Sequence, residues 1–139
     1  PGFLAELMQM IAEYGLHNQF RILGLLPHQH VYWLMRQCKC VLNPSLFEGW
    51  STSVEESKSV GKRMILSDLE VHKEQDPAKS FFFNRYDAAD LADKMEQAWN
   101  SIPAGPDIVM EELAKSQIEE RMKGFAARFI EICEEAKSN

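Results

Sequence analysis

Apolar residues recur along this chain with two alternating periods. Phe3, Leu4, Leu7, Met8, Ile11 and Tyr14 share one helical stripe, and Gly15 supplies the left-handed stop after it. Phe20 to Leu25 reads as a short buried strand closed by Pro27, followed by a helix over His28 to Gln37 with Val31, Leu34, Met35 and Cys38 inward. A buried strand, Cys38 to Asn43, ends at Asn43-Pro44-Ser45. A helix is predicted from about Thr52 to Val60, stopped by Gly61. Met64-Ile65-Leu66 is the next strand and delivers Ser67 and Asp68 to its carboxyl end. An irregular polar loop leads to a last short strand, Phe81-Phe82-Phe83. Asp87 is placed to cap a helix with Asp90 in its first turn and Leu91, Met95, Ala98 and Trp99 on its core face. Ser101 to Pro106 is a loop. Asp107 to Ala136 is helical in pattern, with a break expected near Ser116 and a stripe of Leu113, Ile118, Met122, Phe125, Phe129, Ile132 and Cys133.

Strands alternating with helices define an α/β domain, a Rossmann-like parallel sheet with flanking helices. Ligands bind such sheets beyond the carboxyl ends of the strands. The loops there are Gly24 to Pro27, Pro44 to Ser53 and Ser67 to His72. The middle one holds the most chemistry. It is a small-residue loop running into a helix start, a form suited to phosphate. It also carries Glu48 and Glu56, with seven residues between them, and carboxylates accept hydrogen bonds from sugar hydroxyls. Glu56 has a plainer explanation, because Ser53-Val54-Glu55-Glu56 has the form of a capping box, as does Thr52 with Glu55. Glu48 precedes the helix and adjoins Gly49, so capping does not account for it. Trp50 is read as packing or as a pocket wall.

The 139 residues fit one domain, and the apolar and charged fractions are those of a globular protein. A net charge of −6 argues against general nucleic-acid binding. No apolar run approaches the roughly 20 residues of a membrane span, no signal peptide is evident, and a cytoplasmic location is expected. Cys38, Cys40 and Cys133 do not suggest a disulfide framework and are read as buried reduced thiols. His28 and His30 fit a helix-start surface. His17 and His72 stand isolated, and no metal site is expected.

The run Asn43-Pro44-Ser45-Leu46-Phe47-Glu48-Gly49-Trp50, then Glu56, then Ser59-Val60-Gly61-Lys62-Arg63-Met64-Ile65-Leu66-Ser67-Asp68, resembles the donor-binding half of retaining family-4 glycosyltransferases. That family shows P-S-x-x-E-G-F-G-x-x-x-x-E followed by A-x-G-x-P-V-I-x-S-D. The flanks, Glu13 to Gly24 and Asp87 to Ala98, are similar too, so the resemblance covers most of the chain. It implies the GT-B fold and a nucleotide-sugar donor, UDP- or GDP-linked, with no cofactor. Glu48 would contact the donor sugar as the catalytic carboxylate, and Glu56 would bind ribose hydroxyls. Gly49 and the amides of Trp50, Ser51 and Thr52 would face sugar and diphosphate. The loop with Leu25 and Leu26 would lie near the base. Ser51 stands where the family has a second glycine, and Thr52, Ser53 and Glu55 replace its hydrophobic residues.

The resemblance further implies that residues 1–139 are part of a second, donor-binding domain lacking its first two strands, and Pro1-Gly2 in place of methionine fits an excised segment. The acceptor, a sugar or glycan, would be held by an N-terminal domain, and the segment alone is expected to be inactive. Strand pairing near Phe20 to Leu25 is expected to depart from the six-stranded order, with open edges inviting self-association. Two alternatives accompany this reading: a non-catalytic interaction module of the same shape, and an unrelated phosphate-binding α/β domain.

Overall fold

The computed structural model describes residues 2–75 and 77–137. The elements in order are α1 (Phe3–Glu13), α2 (His28–Gln37), β1 (Val41–Asn43), α3 (Thr52–Ser59), β2 (Met64–Ser67), α4 (Glu70–Glu74), β3 (Phe81–Phe83), α5 (Ala88–Ser101) and α6 (Ile108–Lys137). The strands form one parallel sheet in the order β1-β2-β3.

All four residues of the central strand β2 are buried, which is why it reads as an unbroken apolar run rather than an alternating one. Its side chains divide by parity. Ile65 packs with Phe83, Ala98 and Ile102, joined by Cys40, Phe81 and Leu91, under α5. Met64 and Leu66 pack with Val54 of α3, joined by Val41 and Phe82. Two lysines tie the edges. Lys39 Nζ donates to the α5 C-terminal carbonyls of Trp99 (3.0 Å) and Ile102 (2.8 Å) and lies over the Trp99 ring. Buried Lys62 donates to the carbonyls of Cys38 and Gly105. Asp87 caps α5, accepting from the amides of Ala89 and Asp90.

The structure departs from the expected elements at several points. Phe20 to Leu25 is not a strand: the Phe20 amide closes a turn onto Leu16 O, Gly24 has φ +65, and Phe20, Ile22, Leu23 and Leu25 are exposed. An extended apolar run becomes a strand only with a ladder partner, and none pairs with it among the described residues. The sheet therefore has three strands among the described residues, and this segment is not one of them. The polar stretch after Ser67 contains a short helix, α4. α6 runs unbroken through Ser116. Its buried residues are Met110, Glu111 and Ala114 near its start, while Leu113, Met122, Phe125, Phe129 and Ile132 of the predicted stripe are exposed. Of the α1 stripe only Ile11 is buried. On α5, Met95 and Trp99 are exposed, and Ala98 with half-buried Leu91 supplies the contact. The cysteines are free and half-buried, not buried.

Gly61 ends α3 at φ +62, and its missing side chain admits the start of α6. A Cβ there would fall within 2.5 Å of Glu111 N and Met110 O. Beside this contact Glu111 pairs with Arg36 through Oε1 (2.5 Å) and Oε2 (2.9 Å), fastening α6 to α2.

Candidate functional site

The carboxyl ends of β1 and β2 open into a polar cluster organised by Asn43. This last residue of β1 is buried. Its Oδ1 accepts from the amide (3.1 Å) and the hydroxyl (2.7 Å) of Ser45, an Asx-type turn that reverses the chain out of the strand. Its Nδ2 faces Glu48 Oε1 (3.1 Å), Ser51 Oγ (3.0 Å) and Ser53 Oγ (3.2 Å). Ser45 Oγ also reaches Glu48 Oε1, at 2.8 Å. Two donors therefore converge on one oxygen of Glu48. Hydrogen bonds from Asn43 and then Ser45 hold its carboxyl below the usual range against the opposing effect of burial, with smaller help from His72 and Ser51. Glu48 is a hydrogen-bonded, ionised acceptor beside Gly49, around which there is open space.

Ser51 is the N-cap of α3, at φ −87 and ψ 106, an extended conformation that costs serine nothing. The glycine expected from the family pattern is not needed there. Its hydroxyl makes no capping bond; it turns inward to Asn43 and Ser53. The capping boxes expected from Ser53/Glu56 and Thr52/Glu55 do not form. With Ser51 as N-cap, the third helical position falls on Val54, which cannot reach back. The glutamates go elsewhere. Glu55 meets Lys58 and Gln75. Glu56 accepts from or pairs with His28 Nε2 at 2.9 Å, while His28 packs its ring against Tyr32. The first-turn amides of α3 are thus left without a side-chain acceptor from the N-cap, at the positive end of the helix.

The three candidate loops meet unequally. Pro44 to Ser53 and Ser67 to His72 are joined by the 2.6 Å bond from Ser67 Oγ to Ser45 O. The start of α2 meets α3 through His28 and Glu56, whereas in the loop before it Leu25 is fully exposed and Leu26 lines an apolar groove with Leu23, His30, Trp33 and Leu34. Trp50 is half-exposed and forms one wall of a groove completed by Glu55, Lys58, Gln75 and Arg121. Thr52 is exposed. Sequence reasoning missed three participants. The sequence marks Asn43 as a strand end and the first residue of the family-like run but gives it no role, His28 as helix surface, and His72, which is completely buried against Ser67, as an isolated histidine. The Asn-Pro-Ser turn signal after a strand was the available clue to Asn43.

No group of three or more His, Cys, Asp or Glu side chains among the described residues is arranged to hold a metal ion. No helix among them is long and apolar enough to cross a membrane.

The parallel sheet and its flanking helices define an α/β domain, with Glu48 and the N-terminus of α3 brought together beyond the carboxyl end of β1. The chain belongs to the glycosyl transferases group 1 family, which matches residues 2–116. The curated proteins give no match, and the solved structures give none. The match agrees with glycosyl transfer as the family's function and sets aside an unrelated phosphate-binding domain.

Proposed function

We propose that the chain is the nucleotide-sugar-binding portion of a retaining, two-domain GT-B glycosyltransferase, acting in the cytoplasm on a UDP- or GDP-hexose. The observation that carries this reading is the adjacency of opposite binding preferences in one loop. The α3 N-terminus presents uncapped amides that suit a diphosphate. Five residues or fewer away, Glu48 is held ionised with donors on Oε1, so that its other oxygen can accept from donor-sugar hydroxyls.

In this reading the backbone of Gly49, Trp50, Ser51 and Thr52 spans from sugar to diphosphate. Glu56, brought to the α2–α3 junction by His28, takes the ribose hydroxyls. The backbone at Leu25 and Leu26 lies toward the base. Transfer would proceed by breaking the bond between the anomeric carbon and the diphosphate oxygen, which leaves with the electron pair, while the acceptor hydroxyl forms the new bond on the same face and passes its proton to that departing oxygen. The α3 amides stabilise the charge growing on the diphosphate and Glu48 orients the sugar. The acceptor hydroxyl belongs to a sugar or glycan held by a second domain.

Titration of the chain with UDP, GDP, UDP-glucose and GDP-mannose by calorimetry tests the reading, with Glu56→Ala as the control. One nucleotide class should bind, and the variant should weaken it about tenfold, the worth of hydrogen bonds to a charged acceptor. Binding that ignores Glu56→Ala removes the ribose role.

A further inference from the structure

His72 is wholly buried on α4, just beyond the carboxyl end of β2. Its Nδ1 lies 3.0 Å from Ser67 O and 3.3 Å from Ser67 Oγ. A carbonyl oxygen only accepts, so the hydrogen sits on Nδ1 in every protonation state of this arrangement. Nε2 is buried and has no hydrogen-bond partner among the described residues. The Ser67 hydroxyl gives its proton to Ser45 O at 2.6 Å. Its lone pairs are then free to face the ring. Ser45 in turn carries Glu48: its hydroxyl lies 2.8 Å from Glu48 Oε1 and 2.7 Å from Asn43 Oδ1, and one hydrogen serves the two.

We propose that His72 is a positioning residue for the Glu48 carboxylate, acting through Ser67 and the Ser45 backbone. The ring fixes the Ser67 hydroxyl, that hydroxyl fixes the Ser45 carbonyl, and Ser45 holds the carboxylate together with Asn43. A histidine that merely filled the corner between β2 and α4 would require no such continuous path of polar contacts to the loop. The consequence for sugar binding rests on the reading of Glu48 given above.

Two readouts on the full chain separate positioning from a structural role. The first is the Glu48 carboxyl titration followed by carbon-detected NMR. The second is the affinity for UDP-glucose and GDP-mannose relative to UDP and GDP. His72→Leu removes the Nδ1 donor, and the Glu48 pKa should rise toward its ordinary value. Sugar-nucleotide affinity should fall about tenfold while bare-nucleotide affinity stays within about twofold. His72→Asn keeps a donor near the Nδ1 position and should restore most of both. Ser67→Ala breaks the path one link further on without emptying the corner, so it should reproduce the Glu48 shift even if His72→Leu fails to fold. An unchanged Glu48 titration in Ser67→Ala overturns the proposal, as does a His72→Asn variant as impaired as His72→Leu. If neither nucleotide sugar binds the unaltered chain, the donor-site reading falls, and the Glu48 titration still decides the role of His72.

Discussion

Replacing Asn43 with alanine should be the most damaging single change at the carboxyl edge of the sheet. Asn43 has two amide hydrogens facing three acceptors and one carbonyl oxygen facing two Ser45 donors. Ser51 and Ser53 can still pair with each other across 3.1 Å, which softens their loss. The Ser45 amide and Glu48 have no such substitute, and Glu48 keeps only the Ser45 hydroxyl. A neutral hydrogen bond contributes about 1 kcal/mol net and one to a charged group about 1.5–3 kcal/mol. With water replacing part of the loss in a half-exposed loop, Asn43→Ala should cost about 3 kcal/mol. For a domain of this size that lowers Tm by about 10 °C. Asn43→Asp separates the charge effect from the steric one. It sets a carboxylate oxygen about where Nδ2 stood, 3.1 Å from Glu48 Oε1. Two carboxylates that close share a proton, and their pKa values rise. A raised carboxyl pKa destabilises above that value, so the Asn43→Asp deficit should shrink as pH falls from 7 to 4. Circular dichroism melts across this range decide the matter. Asn43→Ala melting within about 2 °C of the parent chain, or an Asn43→Asp deficit constant with pH, would refute the hub role.

Gly61→Ala should cost more than about 3 kcal/mol, because the added Cβ meets the Met110–Glu111 backbone and φ is +62, whereas Gly49→Ala, with open space around it, should change Tm by less than about 2 °C. Glu48 has a depressed folded pKa, so its contribution is present above the ordinary value of 4.5 and is lost as pH falls through the folded value. The stability gap between the parent chain and Glu48→Gln, about 1 kcal/mol at pH 7 after allowance for exposure, should therefore close in acid, as thermal melts across pH would read. Burial pushes the Cys38 and Cys40 thiols up, so iodoacetamide at pH 7.5 should label both more slowly in the native chain than in urea, as mass spectrometry would read directly.

What the sequence disclosed follows from where each signal originates. Met64 to Leu66 and Phe81 to Phe83 were legible because a strand buried in a parallel sheet carries its own apolar run. Phe20 to Leu25 has the same local appearance, but a strand also depends on a neighbour, and that lies outside any local pattern. Helix spans at His28 and Thr52 were visible from period and stop signals. The capping frame of α3 was not, because the inward pull of Asn43 on Ser51 decides which residue caps nothing and which glutamate goes where. Glu48 was legible as a loop carboxylate next to glycine. Its anchoring through Asn43, Ser45, Ser67 and His72 was not, since that path crosses from β1 to β2 and joins residues up to 22 positions apart. The stripes of α1 and α6 show the converse: amphipathic period fixes a helix but does not say that its apolar face is covered.

The loop between β1 and α3 is the nucleotide-sugar site we propose. Amide chemical-shift mapping of the chain during titration with UDP-glucose and with GDP-mannose tests it most directly. One of the two should produce saturable shifts concentrated at residues 43–56 and around His28, with the largest at Gly49 to Thr52. Saturable shifts centred instead on the groove of Lys58, Gln75 and Arg121, or none with either compound at millimolar concentration, would contradict it and favour a non-catalytic module of glycosyltransferase shape.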